Sequence, residues 1–429
     1  MRPIRKNIAS ILCLAGCLLA LPLSGQQALT LDECVERALQ NNVRMKNAAN
    51  DLSIAEEGRK SAFTKYFPSV SATGAGFLAS ENILQLNLAP GMGMGMMKNG
   101  LLGGVSASLP VFAGGQIYNG NKLAEVNVEK YRLLQHQSEN EVRLTVEQYY
   151  WQVAMLKEKL VTLSVVEKQL SQVQDDVEAA VKAGVTNRND LLQVQLRRND
   201  IQSSRLTVEN GLSLSRRLLA QYMGLPGDSI DVAFHPSDSL PPQPAQFYRP
   251  PKEALPSTPE YNLLQAQLKA SKIEHKLALG KQLPTVAIGG GYMYDNLLDF
   301  DQTFWAGFLT INIPISGWWG GSHDIKQKKL AMANAENSLR DQSELLLIRM
   351  RSAWDDLNEA YRQVEIARRS IEQSTENLRL NTDYYHAGTS TMSDLLDAQT
   401  LFQQSRDKYV EAWAQYEVKK RQYLLATGR

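Results

Sequence analysis

A long internal repeat runs through this sequence. When the second half of the chain is shifted back by 204 residues, Pro314 falls on Pro110, and the alignment holds to the C-terminus. Upstream, an offset of 216 residues aligns Pro284 with Pro68, so the difference of 12 residues lies between Pro68 and Pro110. A constant offset over this distance indicates a duplicated unit with one variable loop. Each element of the fold is therefore expected twice.

The N-terminal segment 1–25 has the pattern of an export signal. Basic residues at positions 2, 5 and 6 precede an apolar run over residues 8–23 that ends in small residues. A run of this length is short for a membrane-spanning helix, which needs about 20 residues. The formal net charge of the full chain is only +1, which argues against nucleic acid as a partner.

A lipid-attachment pattern lies inside the same segment. The sequence Leu-Ala-Gly before Cys17 matches the lipobox that precedes an acylated cysteine. Two interpretations stay open: ordinary cleavage near Gly25, or lipidation of Cys17. No apolar run of 18 residues follows the signal segment, so the sequence predicts no transmembrane helix in the mature chain.

Two long segments predict unusually long helices. Residues 121–183 and 322–387 contain neither Gly nor Pro. Both carry apolar residues every three and four positions, which is the heptad pattern of coiled coils. We predict long helices over 116–182 and 322–386, each roughly 95 Å long at 1.5 Å per residue.

Shorter helices return from the ends of the long ones. Glycines 184 and 388 break the chain, and return helices are predicted over 190–222 and 394–427. Nine prolines in residues 225–259 predict an extended linker. The resulting organisation is a first repeat at 26–224, the linker at 225–259, and a second repeat at 260–429.

Four short segments alternate in the manner of β-strands. They are residues 69–80, 103–112, 285–295 and 304–315, and in each repeat a loop joins the two strands. Tyr292, Tyr294 and Trp305 within them fit either an interfacial aromatic belt or ordinary sheet packing. The predicted fold class is mainly α with β, built from a duplicated helix–strand–strand–long helix–helix unit.

An exported chain with four strands cannot close a barrel alone. Open strand edges are untenable in lipid, and closure needs at least about eight strands. Two copies would supply eight strands and three copies twelve. The pattern therefore predicts a multi-chain duct with a β-barrel end and a long helical end. The alternative is a lipid-tethered or soluble periplasmic coiled-coil scaffold without channel activity.

Ordered motifs over the whole mature chain resemble the TolC-like outer membrane efflux and secretion channels. Those motifs occur at the start of the first helix, at each helix-to-strand and strand-to-helix junction, and at both helix turns: residues 29–39, 66–68, 283–284, 109–115, 313–317, 183–186 and 387–390.

The resemblance implies an architecture, a set of partners and a function. Family members form homotrimers with a twelve-stranded barrel in outer membrane lipid and an α-helical tunnel across the periplasm. A periplasmic adaptor and an inner-membrane pump of the RND, ABC or MFS type open the duct. By resemblance the chain is a passive export conduit without cofactors and not an enzyme. The exported substrate, the particular adaptor and the particular pump are not predicted.

The resemblance also places a gate at the periplasmic tip. The matching positions are Asp190, Tyr385, Asp394 and Asp397. Ser390 occupies the position of the family's arginine, so the usual lock cannot form, and Arg188 is the candidate for the missing cation. A ring of aspartates from three chains would attract cations and raise their pKa values by mutual repulsion.

Capping is the alternative role for these acids. Asn187 and Thr391 each precede an aspartate by three positions, as an N-cap residue precedes an acid that favours the helix dipole. The same duality applies to the turns at Gly184, Val185, Gly388 and Thr389. The resemblance implies that they dock the adaptor, while their glycines also fit ordinary C-caps.

A methionine-rich stretch lies in the variable loop of the first repeat. Met92, Met94, Met96 and Met97 stand among glycines. Thioether capture of a soft metal ion is one interpretation, and a flexible apolar loop is the other. The five histidines are scattered without metal-ligand spacing, so the sequence predicts no metal site and no cofactor.

Overall fold

The computed structural model describes residues 28–89, 92–225, 230–234, 240–296, 301–315 and 317–429. The signal segment and Cys17 lie outside these residues. The chain forms two compact units, each built from three segments. Unit 1 comprises Met1–Val43, Glu141–Tyr248 and Trp354–Gln422, and unit 2 comprises Arg44–Asn140, Arg249–Ala353 and Tyr423–Arg429. Each unit thus takes segments from both predicted repeats, and the division into repeats stays a prediction.

Eight α-helices are found in the described residues. In chain order, α1 to α8 are Leu31–Asn41, Val43–Phe63, Gln116–Lys182, Arg188–Tyr222, Pro251–Ala254, Pro259–Gly280, Gly317–His386 and Met392–Ala426. None of these helices combines the length and the apolar character that a membrane span requires.

Heptad positions of the long helices form the interior of unit 1. Val146 and Val153 of α3 and Leu357 and Val364 of α7 are fully buried. The heptad series of α8 is buried as well, including Phe402. This burial confirms that the 3.5-residue pattern marks a packed coiled-coil seam.

Unit 2 contains a four-stranded antiparallel sheet. Its strands are β2 (Ser69–Leu78), β5 (Asn99–Ala113), β7 (Thr285–Asp295) and β8 (Gln302–Asn312), in that spatial order. The hairpin of the first repeat, β2 and β5, therefore lies beside the hairpin of the second, β7 and β8. Strands β2 and β8 form the two edges of the sheet.

The sheet register follows the two sequence offsets. Ser69 of β2 pairs with Ser108 of β5, while Thr285 of β7 pairs with Asn312 of β8. Adding 216 to the first number and 204 to the second converts one pair into the other. The two hairpins are therefore duplicates residue by residue, which the sequence offsets alone only suggested.

Several predicted bounds need correction. The capping-box and proline signals predict one helix over residues 31–65, but Asn42 divides it, because Asn42 adopts an extended conformation and its side chain donates to the carbonyl of Tyr222 at 2.7 Å. The second strand begins at Asn99 rather than 103, and the last ends at Asn312 rather than 315. Helix α7 begins at Gly317, five residues before the predicted start.

The variable loop and the linker also contain more structure than predicted. In the loop, β3 (Leu84–Ala89) pairs antiparallel with β4 (Met92–Met96). In the linker, β6 (Asp231–Val232) pairs parallel with β1 (Ala28–Leu29). The linker also has one-turn 3-10 helices at Pro244–Phe247 and Leu255–Ser257, so it is not simply extended.

Candidate functional site

The two hairpin turns of unit 1 have the same backbone geometry. Gly184 and Gly388 adopt φ values of +74° and +72°, a left-handed conformation that favours glycine. In both turns, the amide after the glycine donates to the carbonyl five residues earlier, at 2.9 Å. These bonds define a Schellman C-cap. Val185 is 81% exposed at the first turn, so it leaves an apolar side chain at the surface.

Asn187 caps the return helix that follows the first turn, and Asp190 is the residue whose amide it caps. The Asp190 carboxylate accepts from the Thr186 hydroxyl at 2.5 Å, and the Asp190 amide donates to the Asn187 side chain at 3.2 Å. The contacts lie within one turn of the chain. Capping is therefore performed by Asn187 in the single chain, and the Asp190 carboxylate lies in the first turn, where the helix dipole favours negative charge.

Asp394 holds the equivalent position after the second turn and forms a reciprocal cap with Thr391. Its Oδ2 accepts from the Thr391 hydroxyl at 2.6 Å, the Thr391 amide at 3.0 Å and the Ser390 hydroxyl at 3.2 Å. The hydrogen bonds from Thr391 lower the pKa of Asp394. Within one chain the carboxylate is thus stabilised in its charged form, and a rise caused by repulsion among three chains stays a prediction.

Tyr385 lies near Asp190 inside the helical packing. It packs against the core cluster that contains Leu395 and Val194. Burial raises the pKa of Tyr385, and the charges of Asp190 and then Asp176 raise it further. The structure thus brings together two of the five sequence-predicted gate residues.

Two further predicted gate residues, Arg188 and Asp397, have exposed side chains. Within the described residues, neither Arg188 nor Asp397 makes a hydrogen bond or an ion pair. Sequence reasoning missed Arg379 of α7, which donates to Glu376 at 2.7 Å and to Asp383 at 2.8 Å on its own helix. Its spacing of three and four residues from these acids is the signal that could have found it.

Polar side chains interrupt the apolar seam of α8. Gln399 donates to Gln169 of α3 at 3.4 Å, and Arg197 of α4 donates to Gln403 at 2.8 Å. One turn further, burial raises the pKa of Asp407. Polar contacts inside a coiled coil can fix the register of the helices at some cost in stability. The heptad analysis counted only apolar positions and so missed them.

The sheet of unit 2 has two chemically different faces. Successive residues of a strand point to opposite faces, and register partners share a face. One face is lined by apolar residues on all four strands: Val70, Val105, Leu109, Ile288, Tyr292, Trp305, Leu309 and Ile311. We call it the apolar face.

The opposite face, here called the polar face, carries hydroxyl groups on β2 and β5. These are Ser69, Ser71, Thr73, Ser106 and Ser108. Ser71 and Ser106 lie across from each other with their hydroxyl oxygens 3.3 Å apart. Phe77 and Leu102 lie on the same face near the loop end of this hairpin. An apolar face opposite a hydroxyl-rich face is the alternation of membrane-embedded barrel strands.

Metal-ligand chemistry is sparse in the part of the chain that the structure describes. No group of three or more His, Cys, Asp or Glu residues there could hold a metal ion. The methionine stretch forms β4 and ends at Met97, which has a φ of +65°. Its capture of a soft metal ion stays a prediction.

Comparison with known proteins gives a family and a fold. The profile of the outer membrane efflux protein family matches residues 34–225 and 251–429. A search of curated protein sequences finds no match.

Solved structures share the fold at low sequence identity. The chain is similar to CusC, reported for the conformational changes of folding and transmembrane channel formation, with a TM-score of 0.80, 16% identity, and coverage of 93% and 92% of the two chains. VceC of Vibrio cholerae has a TM-score of 0.77, 12% identity and coverage of 93% and 96%. The CmeC outer membrane channel of Campylobacter jejuni has a TM-score of 0.78, 14% identity and coverage of 93% and 85%.

Proposed function

The chain belongs to the outer membrane efflux protein family, and on this premise we propose how its sheet and its helix turns carry out export. As a member, it is an outer-membrane channel with a periplasmic tunnel, and it is a passive conduit rather than an enzyme. Members of the family work with periplasmic adaptors and inner-membrane pumps. The scaffold alternative considered from the sequence therefore falls away.

We propose that three copies of this chain close one barrel. The sheet has four strands and two edges, β2 and β8, that pair with no other described strand. Unpaired strand edges are untenable in lipid, and three copies supply the twelve strands of a closed barrel. The two-faced sheet with two open edges is the observation that carries this proposal.

We propose that the apolar face contacts lipid and the polar face lines the lumen. Lipid-facing and lumen-facing residues alternate along barrel strands. Two adjacent residues of β5 provide a matched test, because Ser106 belongs to the polar face and Ala107 to the apolar face. A membrane-impermeant charged thiol reagent should react with Ser106→Cys and reduce the conductance of the open channel. Ala107→Cys should leave conductance unchanged, and the opposite result would reverse the two faces.

At the tip, we propose that Asp190, Tyr385, Asp394 and Asp397 line a gate. The proximity of Tyr385 to Asp190 supports a tie between the second long helix and the first return helix. The exposed carboxylate of Asp397 makes no hydrogen bond or ion pair within the described residues, so it is free to attract cations. Arg188 remains the candidate cation of this gate.

We further propose that the turns at Gly184, Val185, Gly388 and Thr389 dock the adaptor. The exposed apolar side chain of Val185 offers a contact that hydrogen bonding within the turn does not use. A pump of the RND, ABC or MFS type would then act through that adaptor.

Single-channel recording of the detergent-extracted protein in a planar bilayer tests the whole proposal. The oligomer mass is taken from the same sample, and a Cys17→Ala variant controls for a lipid anchor. A trimer with small, cation-preferring conductance steps is expected. A monomer, or a trimer without conductance steps, would contradict the closed duct.

A further inference from the structure

The polar face of the sheet has a second surface of a different kind on β7 and β8. Phe308 of β8 pairs with Gly289 of β7, and a Cβ atom added to Gly289 would overlap the Phe308 ring. The ring therefore lies over the glycine backbone and leaves its other face open. Phe308 is 45% exposed.

A second ring lies on this face four residues earlier in β8. Phe304 pairs with Met293, which in turn pairs with Gly104 of β5. A Cβ atom added to Gly104 would lie 2.8 Å from the Met293 sulfur, so the thioether also lies over a glycine. Phe304 is 43% exposed. Two rings and a thioether thus lie on the same face of β7 and β8, with Phe308 and Met293 over glycine backbone, and we call this surface the aromatic strip.

Charge is nearly absent from this face of the sheet. Among its described strand residues, Asp295 is the one that carries a charge, and it lies at the loop end of β7. The Gln302 amide donates to both of its oxygens, at 3.0 and 2.9 Å, and Asp295 is only 7% exposed. The face therefore offers rings, a thioether and hydroxyl groups, but no free charge to hold an ion.

We propose that the aromatic strip of Phe304, Phe308 and Met293 binds uncharged aromatic solutes weakly as they pass through the barrel. This assignment rests on the proposed function, because it needs the polar face to line the lumen. Ring faces attract other rings in offset or edge geometry, and thioethers contact ring edges favourably. The hydroxyl groups of the first hairpin can bond the polar end of the same solute. In a threefold barrel the two surfaces alternate around the lumen.

The exported class that fits this lining is an amphiphilic aromatic compound without net charge. A metal ion would find no ligand set on these strands. Cations would then be attracted by the aspartates at the helix turns and not by the residues that line the barrel. A weak site suits a conduit, because a solute held tightly would block it.

Transient block of single channels by two uncharged glucosides tests the strip. Phenyl β-D-glucoside and methyl β-D-glucoside share the same uncharged sugar, and the first carries a phenyl group where the second carries a methyl group. Wild-type channels should bind the phenyl compound more tightly than the methyl compound. In Phe304→Leu/Phe308→Leu channels, affinity for the phenyl compound should fall about 2- to 10-fold, the ratio expected for loss of an aromatic pair. The methyl compound should be unaffected.

Two further variants serve as controls for this test. Trp305→Leu removes an aromatic residue from the apolar face of the same strand and should not change phenyl block. Phe304→Tyr/Phe308→Tyr keeps both rings and should retain it. Equal block of wild-type and Leu channels, or loss of block in the Trp305 variant, would overturn the assignment. Absence of conductance steps in wild type would instead overturn the proposed duct.

Discussion

Asp394 and Asp397 lie less than one helical turn apart on α8 but have different surroundings. Asp394 accepts three hydrogen bonds from its own turn, whereas Asp397 makes none within the described chain. We predict that Asp397→Asn lowers the cation preference of the channel and leaves its thermal midpoint unchanged. Asp394→Asn should lower the midpoint, since an amide caps the helix less well than a charged oxygen. Reversal potentials measure the cation preference, and thermal unfolding measures the midpoint. If both variants keep the cation preference of the wild type, the acidic gate is contradicted.

The lowered pKa of Asp394 also predicts a pH dependence. A carboxylate whose folded pKa lies below its unfolded value contributes stability above the unfolded value, and the contribution disappears as pH falls through the folded one. The thermal midpoint should therefore drop between about pH 5 and about pH 3. In Thr391→Val, which lacks the hydroxyl donor with the largest effect on this pKa, the drop should be smaller. An equal drop in both proteins would assign it to other carboxylates.

Glu147 and Arg421 form a buried ion pair between α3 and α8. Their atoms approach to 2.6 Å, and the Glu147 side chain is 4% exposed. Burial raises the pKa of Glu147 even though Arg421 lowers it, so desolvation outweighs the attraction. We predict that Arg421→Met costs about 3 kcal/mol, because it leaves the buried Glu147 without its partner. Glu147→Met should cost less, because the Arg421 side chain is 22% exposed. The double variant should recover most of the loss caused by Arg421→Met in thermal unfolding. Additive single effects would contradict the pairing.

At the scale of elements, the sequence predicted the long helices well for a simple reason. Helix α3 begins immediately after two glycines and ends immediately before Ala183 and Gly184. Left-handed glycines at both ends are visible in the sequence as helix stops. The heptad pattern then predicted which face is buried, because the partner helices repeat the same pattern.

Elements rich in glycine were predicted less well. Helix α7 includes Gly317 and Gly321, whose propensity favours coil. A Cβ atom added to Gly321 would overlap the Gln282 side chain, so close packing rather than propensity explains these glycines. Strand β4 alternates Met and Gly and lacks the usual strand composition, and its hairpin therefore depends on pairing with β3. Such tertiary contacts cannot be read from local sequence.

The junction between β5 and α3 separates two effects of glycine. Gly114 and Gly115 both have positive φ values, +58° and +74°. A Cβ atom at Gly114 would overlap the Gly280 carbonyl, whereas one at Gly115 would approach the Asn119 side chain at only 3.5 Å. We predict that Gly115→Ala costs about 1 kcal/mol from backbone strain alone. Gly114→Ala should cost at least about twice as much in thermal unfolding. Equal costs would mean that the close approach to Gly280 does not matter.

At the scale of the whole molecule, the duplication predicts how one copy pairs with the next. Within the sheet, β5 pairs with β7, as in Ser106 with Gly291. Adding 204 to the first number and subtracting 216 from the second gives Thr310 of β8 opposite Ala75 of β2. These are the two edge strands of one sheet, so such a pair can form only between copies. Three copies supply six hairpins, and neighbouring hairpins would then pair in the same strand register all around the barrel.

A chain carrying Thr310→Cys and Ala75→Cys should therefore form disulfides between copies and run as a covalent trimer without reductant. Residues directly opposite in an antiparallel pair bring their Cβ atoms close to disulfide distance. Thr310→Cys with Gly74→Cys is the matched control, because a shift of one residue moves the thiol to the other face of the sheet. Burial raises the pKa of the native Cys34 thiol to about 12, which keeps that thiol out of the exchange. If the control pair forms the cross-link instead, the strand register between copies differs from the register within one chain. The duplicated hairpins would then not repeat evenly around the barrel.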